Sequence, residues 1–574
     1  MNRLYISIAA LLTCAALGAQ NLDPTVEVRR TYEGKLLEAH KPSLEMSVPD
    51  SVTRFDLDFD YSVFNNPYKG AYEFNPYKML MSPLTGRDSQ RKFHMRVGAG
   101  YELHPYLDLS WAAVSKDRFH LDVWANHKSY VGKYRNIFYS PSSEKLTWNK
   151  TDKTFGYDLA TNAGTTLRYD WYRGRFDMNA AYYGIHQKNM FRSGRSYDGV
   201  DVSLALSSKS EEEHYFLYDI RADYRFGADK YLNDTRNRLH EHVVSFNAVL
   251  GQVFGSRGSL LFDVGADFVS MMASPVSTYA AGIHFVPHYA IAHGRWNFDV
   301  GVRLGLIFPS FAKGGQALYS TKGQFVYPDV KISVAAIPDA MKVYAKVGGG
   351  ERMNTLASVL ERNRHADAGF GTVKSPIFDN TIERVSAAVG LEGRIGSRFS
   401  YDVRARYGYV HNALMDGVAL DGGKYRPILG YASYNRFQTI VECALRTDPF
   451  ELEVEAVYDL TRFVTEPVGL FEPAEFEGNA SLTYNWNRRI FVGADVRWAT
   501  SMKGMIEVLS DGVISEAEAK IPGYADLGIN FEYAFNRRIS LWARGGNLLN
   551  MTIQRSPLFA EGGINFTAGI CLNF

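Results

Sequence analysis

The chain has 574 residues, 63 of them basic and 62 acidic, with 36 Tyr, 35 Phe, 50 Gly and three Cys. Charge this evenly balanced excludes a polyanion-binding surface as the organising feature, and so few cysteines exclude a disulfide framework. A Tyr-rich, Gly-rich, Cys-poor chain matches strands that face water on one side and an apolar medium on the other.

At the N-terminus, Met1-Asn-Arg-Leu4 leads into an apolar stretch ending at Leu17, and Ala-Leu-Gly-Ala19 supplies small residues for cleavage. Residues 1–19 therefore read as a secretory signal peptide. No other segment approaches the about 18 consecutive apolar residues that a spanning helix needs. Residues 20–90 form an N-terminal segment of their own. Within it, Phe55-Asp-Leu-Asp-Phe-Asp-Tyr61 places three carboxylates at alternate positions. A calcium loop requires Gly at the sixth position, where Tyr61 stands, so the stretch reads as a strand with Asp56, Asp58 and Asp60 on one polar face.

From residue 91 onward, turn chemistry punctuates the chain. Ser115-Lys-Asp-Arg118, Tyr172-Arg-Gly-Arg175, Ser208-Lys-Ser-Glu211, Gly255-Ser-Arg-Gly258 and His293-Gly-Arg-Trp296 come first. Ile337-Pro-Asp-Ala340, Gly396-Ser-Arg-Phe399, Thr447-Asp-Pro-Phe450, Asn485-Trp-Asn-Arg-Arg489 and Phe535-Asn-Arg-Arg538 follow. Nine of them supply a positive or preset φ between two alternating runs; Ser208-Lys-Ser-Glu211 is placed by the 83-residue gap between Gly174 and Arg257, ahead of the strand Tyr215 to Phe226. Phe399, Tyr401, Val403, Ala405 and Tyr407 oppose Asp402, Arg404 and Arg406; Phe450, Leu452, Val454 and Ala456 oppose Glu451, Glu453 and Glu455. Ala525, Leu527, Ile529, Phe531 and Tyr533 likewise oppose Asp526 and Glu532. These runs exceed the five or six residues usual for a strand and suit the nine to eleven of a tilted membrane strand.

Between the hairpins lie longer segments. Gly132 to Thr154, Glu351 to Ile382 and His411 to Lys424 are expected to be long extracellular loops for ligand or partner contact. Leu356, Val359 and Leu360 predict a short helix after Asn354, and Tyr134, Phe138, Tyr139 and Trp148 are candidates for stacking on a sugar. The chain closes on Gly563 to Phe574, where Ile564, Phe566, Ala568, Ile570, Leu572 and Phe574 share one face. Ten short turns, a first strand over His94 to Leu103 with His104-Pro as its turn, and this last strand predict an antiparallel transmembrane β-barrel. Its strand number is even, about 22 within 20–24, with short periplasmic turns.

A barrel of this size, opening on Arg96-Val-Gly-Ala-Gly-Tyr101 and ending on Phe574, resembles TonB-dependent receptors, specifically the divergent barrels of Bacteroidota. The resemblance covers roughly Arg91 to Phe574. It implies a Gram-negative outer-membrane location, a transport role, and a barrel-assembly signal in Phe566, Ile570, Leu572 and Phe574. Partners it implies are outer-membrane lipid, the barrel-assembly machinery, and TonB or a surface lipoprotein. The chain departs from the family before the barrel: residues 20–90 are too short for a full plug and lack its Gly-rich signatures, leaving a periplasmic segment or reduced plug. Thr25-Val-Glu-Val28 is a passable TonB box.

Chemistry beyond transport finds little support. The 14 His are scattered without metal spacing, and no Gly-x-Ser-x-Gly elbow occurs. No catalytic, cofactor or metal residue is assigned, and nucleic acid is not expected. Lumenal candidates are Asp402, Arg404, Arg406, Glu451, Glu453, Glu455, Asp526 and Glu532, whose acidic and basic rows either select solutes or neutralise one another. Two functions follow: an outer-membrane transport barrel, receptor-like or porin-like, or a non-transporting scaffold for partner proteins.

Overall fold

The computed structural model describes residues 92–101, 104–189, 192–209, 214–231, 239–255, 258–273, 276–313, 321–338, 340–365, 378–510 and 512–574. Asp56, Asp58, Asp60, the TonB-box segment and the signal peptide lie outside these residues. Twenty-five strands and one short helix form among the described residues. The chain begins β1 (Phe93–Gly100), β2 (Tyr106–Lys116), β3 (Phe119–Ser140), β4 (Lys145–Trp171), β5 (Gly174–Asn189) and β6 (Arg192–Ser208). It continues β7 (His214–Tyr231), β8 (Leu239–Phe254), β9 (Ser259–Ala273), β10 (Val276–His293) and β11 (Trp296–Ile307). A short piece, β12 (Phe311–Lys313), resumes the line of β11 beyond Pro309 against the same neighbour, β10. Next come β13 (Gly323–Ile337), β14 (Met341–Met353), the helix α1 (Leu356–Arg362), β15 (Asn380–Ile395), β16 (Phe399–Asp421) and β17 (Lys424–Arg446). The chain ends β18 (Phe450–Phe463), β19 (Phe476–Trp486), β20 (Ile490–Ala499), β21 (Met502–Ser510), β22 (Val513–Ile521), β23 (Tyr524–Ala534), β24 (Ile539–Gly546) and β25 (Asn565–Asn573).

Successive strands pair antiparallel, β20 pairs directly with β23, and β25 returns to β1. With β12 in line with β11 and the β21–β22 hairpin outside the circuit, 22 strands close into a barrel. At the seam, His94 to Gly100 run against Asn573 to Thr567, and Phe93 and Phe574 exchange two backbone hydrogen bonds of 2.9 and 2.8 Å. Closure pairs the first strand of the circuit with the last, so the strands of the circuit are hydrogen-bonded to a neighbour on each side. Trp542 of β24 lies over Gly98 of β1, where a Cβ would come within 2.5 Å of the indole and 2.8 Å of the Ala568 carbonyl. Only Gly allows that approach.

All ten sequence turns join neighbouring strands at one end of the barrel. Asn487 and Arg488, both at positive φ (53° and 56°), make a turn of the type that matches strand twist, closed by the Arg489 amide on the Trp486 carbonyl. The first strand begins at Phe93 and ends at Gly100, a little shorter than the sequence suggests.

Alternation sorts the two faces. Phe262, Val264 and Phe268 on β9, Ile283, Phe285 and Tyr289 on β10, and Val300, Val302 and Leu304 on β11 are exposed large apolar residues. Between them Asp263, Asp267, His284, His288, Asp299 and Arg303 point the other way. An apolar belt continuing onto β16 to β25 (Tyr407, Phe437, Tyr458, Leu482, Ile529, Phe531, Phe566, Ile570) fits hydrocarbon, with charge turned inward.

The other end departs from the expected loops. Gly132 to Thr154 and His411 to Lys424 are not loops: β3–β4 and β16–β17 keep pairing past the belt, down to turns at 141–144 and Gly422-Gly423. Strand pairing outruns the membrane because alternation continues there, with Leu146, Leu414, Val418 and Leu429 buried. Ile137, Tyr139, Leu146, Val418, Phe471, Ile506, Ala519, Ile521 and Leu558 form an apolar core shared by three hairpins. The Tyr139 and Tyr425 hydroxyls donate to the carbonyls of Glu518 and Glu507 in the β21–β22 hairpin.

Candidate functional site: the barrel interior and its mouth

The charged candidates sit on the face opposite the apolar belt, each beside a polar partner, most of them on the same or a neighbouring strand or turn and that of Glu532 on β1, three strands along the circuit. Arg404 donates to Asp402 (3.1 Å) and to Glu442 of β17 (2.5 Å); Arg406 donates to Glu383 (2.6 Å) and Ser386 (3.2 Å) of β15. Glu451 and Glu453 both meet Arg446, at 2.9 and 2.6 Å. Glu455 accepts from Asn479 at 2.9 Å. Glu532 pairs with Arg96 of β1 (2.7 Å) and accepts from Ser540, while Asp526 accepts the Asn547 amide and lies 3.8 Å from Arg555. The acidic and basic rows therefore do not meet each other. Each is neutralised locally, by Arg446, Glu442 and Glu383, three residues that alternation alone does not single out.

A second feature lies at the mouth. β14 and β15 are adjacent strands, with Met353 opposite Asn380, yet residues 354–379 separate them. The predicted helix forms here. Thr355 caps it: its hydroxyl accepts the Ser358 amide (3.1 Å) while the Ser358 hydroxyl accepts the Thr355 amide (2.8 Å), a reciprocal arrangement worth about 1 kcal/mol. Leu356, Ala357, Val359 and Leu360 are all buried. They belong to an apolar cluster that draws Ile185, Tyr197, Leu239, Val269, Met271 and Ala280 from β5 to β10, and Leu414 and Leu429 from β16 and β17. The helix is thus packed between walls.

Buried polar contacts fix it. The Glu241 carboxylate on β8 accepts the amides of Leu356 (2.7 Å) and Ala357 (3.3 Å). Asn363 donates to Asp416 of β16 at 2.5 Å. Its neighbour Arg364 donates to Asp158 of β4 at 2.6 Å, and Asp158 also accepts from Gln187. Arg195 and Asp229, both almost fully buried, form a two-bond pair (2.9 and 2.8 Å), and Arg195 also donates to the Arg364 carbonyl. The His365 ring stacks on Phe559, centroids 4.4 Å apart. A charge-assisted bond in such surroundings is about twice as strong as a neutral one, and leaving either partner alone is costly.

Ten barrel strands lie between β4 and β16 in either direction around the circuit. Asn363 and Arg364 are consecutive, so the chain touches opposite walls within two residues. A groove lined by Tyr134, Asp158, Gln187, His365 and Phe559 runs beside it. Of the aromatic candidates, Tyr134 lines this groove, Trp148 lies under Arg135 at 4.3 Å, Tyr139 joins the hairpin core and Phe138 is exposed. The structure does not bring the four together. Among the described residues no group of three or more His, Cys, Asp or Glu is placed to hold a metal.

No protein-family model matches this sequence, and no curated protein matches it. Solved structures do. The copper transporter OprC aligns at a TM-score of 0.58 with 11 % identity, over 84 % of this chain and 80 % of that one. The FrpB iron transporter from Neisseria meningitidis, in its apoprotein form, aligns at 0.60 with 10 % identity, over 86 % and 82 %. The siderophore receptor PirA from Acinetobacter baumannii aligns at 0.57 with 10 % identity, over 84 % and 80 %. Such neighbours are TonB-dependent receptors with a 22-strand barrel. At these identities the likeness is one of fold.

Proposed function

We propose that this chain is an outer-membrane transport barrel of the TonB-dependent receptor-like type, moving a solute across the outer membrane of a Gram-negative bacterium without chemical conversion. The observation that carries this reading is a closed 22-strand barrel with an apolar belt outside and charged side chains within. An interior of that polarity stabilises water and hydrophilic solutes, whereas a structural cylinder needs no such lining. The receptor-like neighbours, which include a copper transporter and an iron transporter, support it.

Finer features belong to the same reading. The tight-turn end faces the periplasm and the long hairpins face outward. Residues 20–90 act as a reduced plug or periplasmic arm, with Asp56, Asp58 and Asp60 pairing with lumenal Arg and Thr25-Val-Glu-Val28 contacting TonB. The charged and polar lining that Asp402, Arg404, Arg406, Glu451, Glu453, Glu455, Asp526 and Glu532 supply tunes which solutes pass. Phe566, Ile570, Leu572 and Phe574 direct insertion by the barrel-assembly machinery. One observation favours a scaffold instead: the mouth is crossed by chain, and the β21–β22 tip leaves Leu509, Val513 and Ile514 exposed for a partner such as a surface lipoprotein.

Planar-bilayer recording on purified full-length protein separates the two. Transport predicts solute-dependent current that rises when residues 20–88 are deleted. Silence in both forms, together with a stoichiometric co-purifying protein, sinks the transport reading in favour of the scaffold.

A further inference from the structure

We propose that Asn354–His365 is the selectivity bar of this barrel: it sets the size of molecule that can enter from the long-hairpin end. The inference rests on the transport reading for its purpose, but what it asserts about access can be measured without any transport.

The first argument is economy. Met353 and Asn380 are directly opposed on hydrogen-bonded strands, so a turn of two to five residues would join them. The chain instead takes residues 354–365 inward before it returns to β15. The second is reach. Asn363 and Arg364 bond to β16 and β4, which have ten strands between them around the circuit and whose outer ends lean together in the shared apolar core, so the chain is clamped inside the mouth between two walls and does not merely line one. A helix with its side chains is about 10 Å across, so it takes up part of a lumen that 22 strands make wide enough to hold a plug. The third is fixation. Leu356, Ala357, Val359 and Leu360 are buried on both sides, and Glu241, Arg195, Asp158 and Asp416 hold the backbone and polar ends. A loop held this way has one position.

The test measures access from outside in intact cells. A full-length chain carrying Cys14→Ser, Cys443→Ser and Cys571→Ser receives one reporter cysteine. Ser245→Cys lies on β8, on the same face as Glu241 and four residues further toward the tight-turn end; Thr151→Cys lies exposed on the outer part of β4. Each is treated with a small charged maleimide and with a maleimide on a long polyethylene glycol chain. With the bar intact, the small reagent labels both positions and the polymer labels only Thr151→Cys. Adding Glu241→Ala and Asp158→Ala frees the bar from β8 and β4, and polymer labelling at Ser245→Cys rises from background to the level of the Thr151→Cys control. A second variant replaces residues 354–379 with a five-residue Gly/Ser turn and gives the same rise, so the test survives misfolding of the first. Folding of each variant is checked by the compact migration of the unheated barrel. Polymer labelling of Ser245→Cys with the bar intact, or continued exclusion in both folded variants, overturns the proposal. An absent bilayer current with this labelling pattern unchanged would count against transport alone.

Discussion

Arg436 and Asp459 face each other across β17 and β18 with both side chains almost wholly buried. Gln438 and Thr461 also donate to the Asp459 carboxylate, at 3.0 and 2.8 Å, so the charge is hydrogen-bonded on several sides. Such a pair adds little over an apolar pair of equal volume, yet breaking it strands a buried charge at about 3–5 kcal/mol. Asp459→Ala should therefore lower the unfolding free energy by about that amount, read as the urea midpoint in detergent. Arg436→Met with Asp459→Leu should restore most of it; a double variant as unstable as the single would mean that packing, not charge, is at stake. The same logic limits what the sequence could tell about Glu451 and Glu453. Alternation put them on the polar face, but their partner Arg446 follows from strand register, which no local pattern states. Pairing is a property of two strands, and the sequence is read along one.

Elements were legible in proportion to how local their signals are. Nine of the ten tight turns carry Gly, Asn, Asp or Pro, Ser208-Lys-Ser-Glu211 being the exception, and each of the ten joins two strands as expected. The helix after Asn354 was visible in Leu356, Val359 and Leu360, whereas its cap at Thr355 was not singled out. The tall hairpins were not, because nothing in composition marks where strand pairing stops once it leaves the membrane. Nor was β21–β22 foreseen; Met505, Val508 and Leu509 mix with Glu507 and Glu516 in no clean period. That hairpin hangs outside the circuit, since Ala499 pairs directly with Tyr524. Replacing residues 502–521 by a short Gly/Ser turn should therefore leave the barrel folded. The unheated protein should still migrate as a compact species, although the shared core loses Ile506, Ala519 and Ile521 and the outer ends of β3 and β4 become open to protease. Loss of the compact species would show that the hairpin helps close the barrel.

At the scale of the whole molecule, closure depends on the two chain ends meeting. Phe93 and Phe574 exchange both backbone bonds, their rings stand 6.3 Å apart, and His94 Nδ1 donates to Asn573 Oδ1 at 2.6 Å. Deleting Phe574 removes the last pair of the seam and the terminal aromatic together. The amount of compact, unheated barrel in the outer membrane should fall severalfold, while Phe574→Tyr should retain it; equal yields from both would separate the seam from assembly. The circuit of 22 was countable from turns and a matching pair of ends. The path across the mouth was not, because its contacts join residues more than a hundred positions apart, such as Glu241 with Leu356 and Asp158 with Arg364.

A hydrogen-bonded cylinder resists stretching along its strands and resists unzipping between them, but it yields easily to squashing, because flattening its round section into an oval breaks no ladder. Asn363 and Arg364, bonded to opposite walls, act as a spoke across that section. The two walls can neither spread apart nor slide past each other at that height without tearing a charged bond. The rim of this barrel is therefore braced from within by its own chain, and an event that releases the spoke leaves these two walls joined by the hairpin core above it.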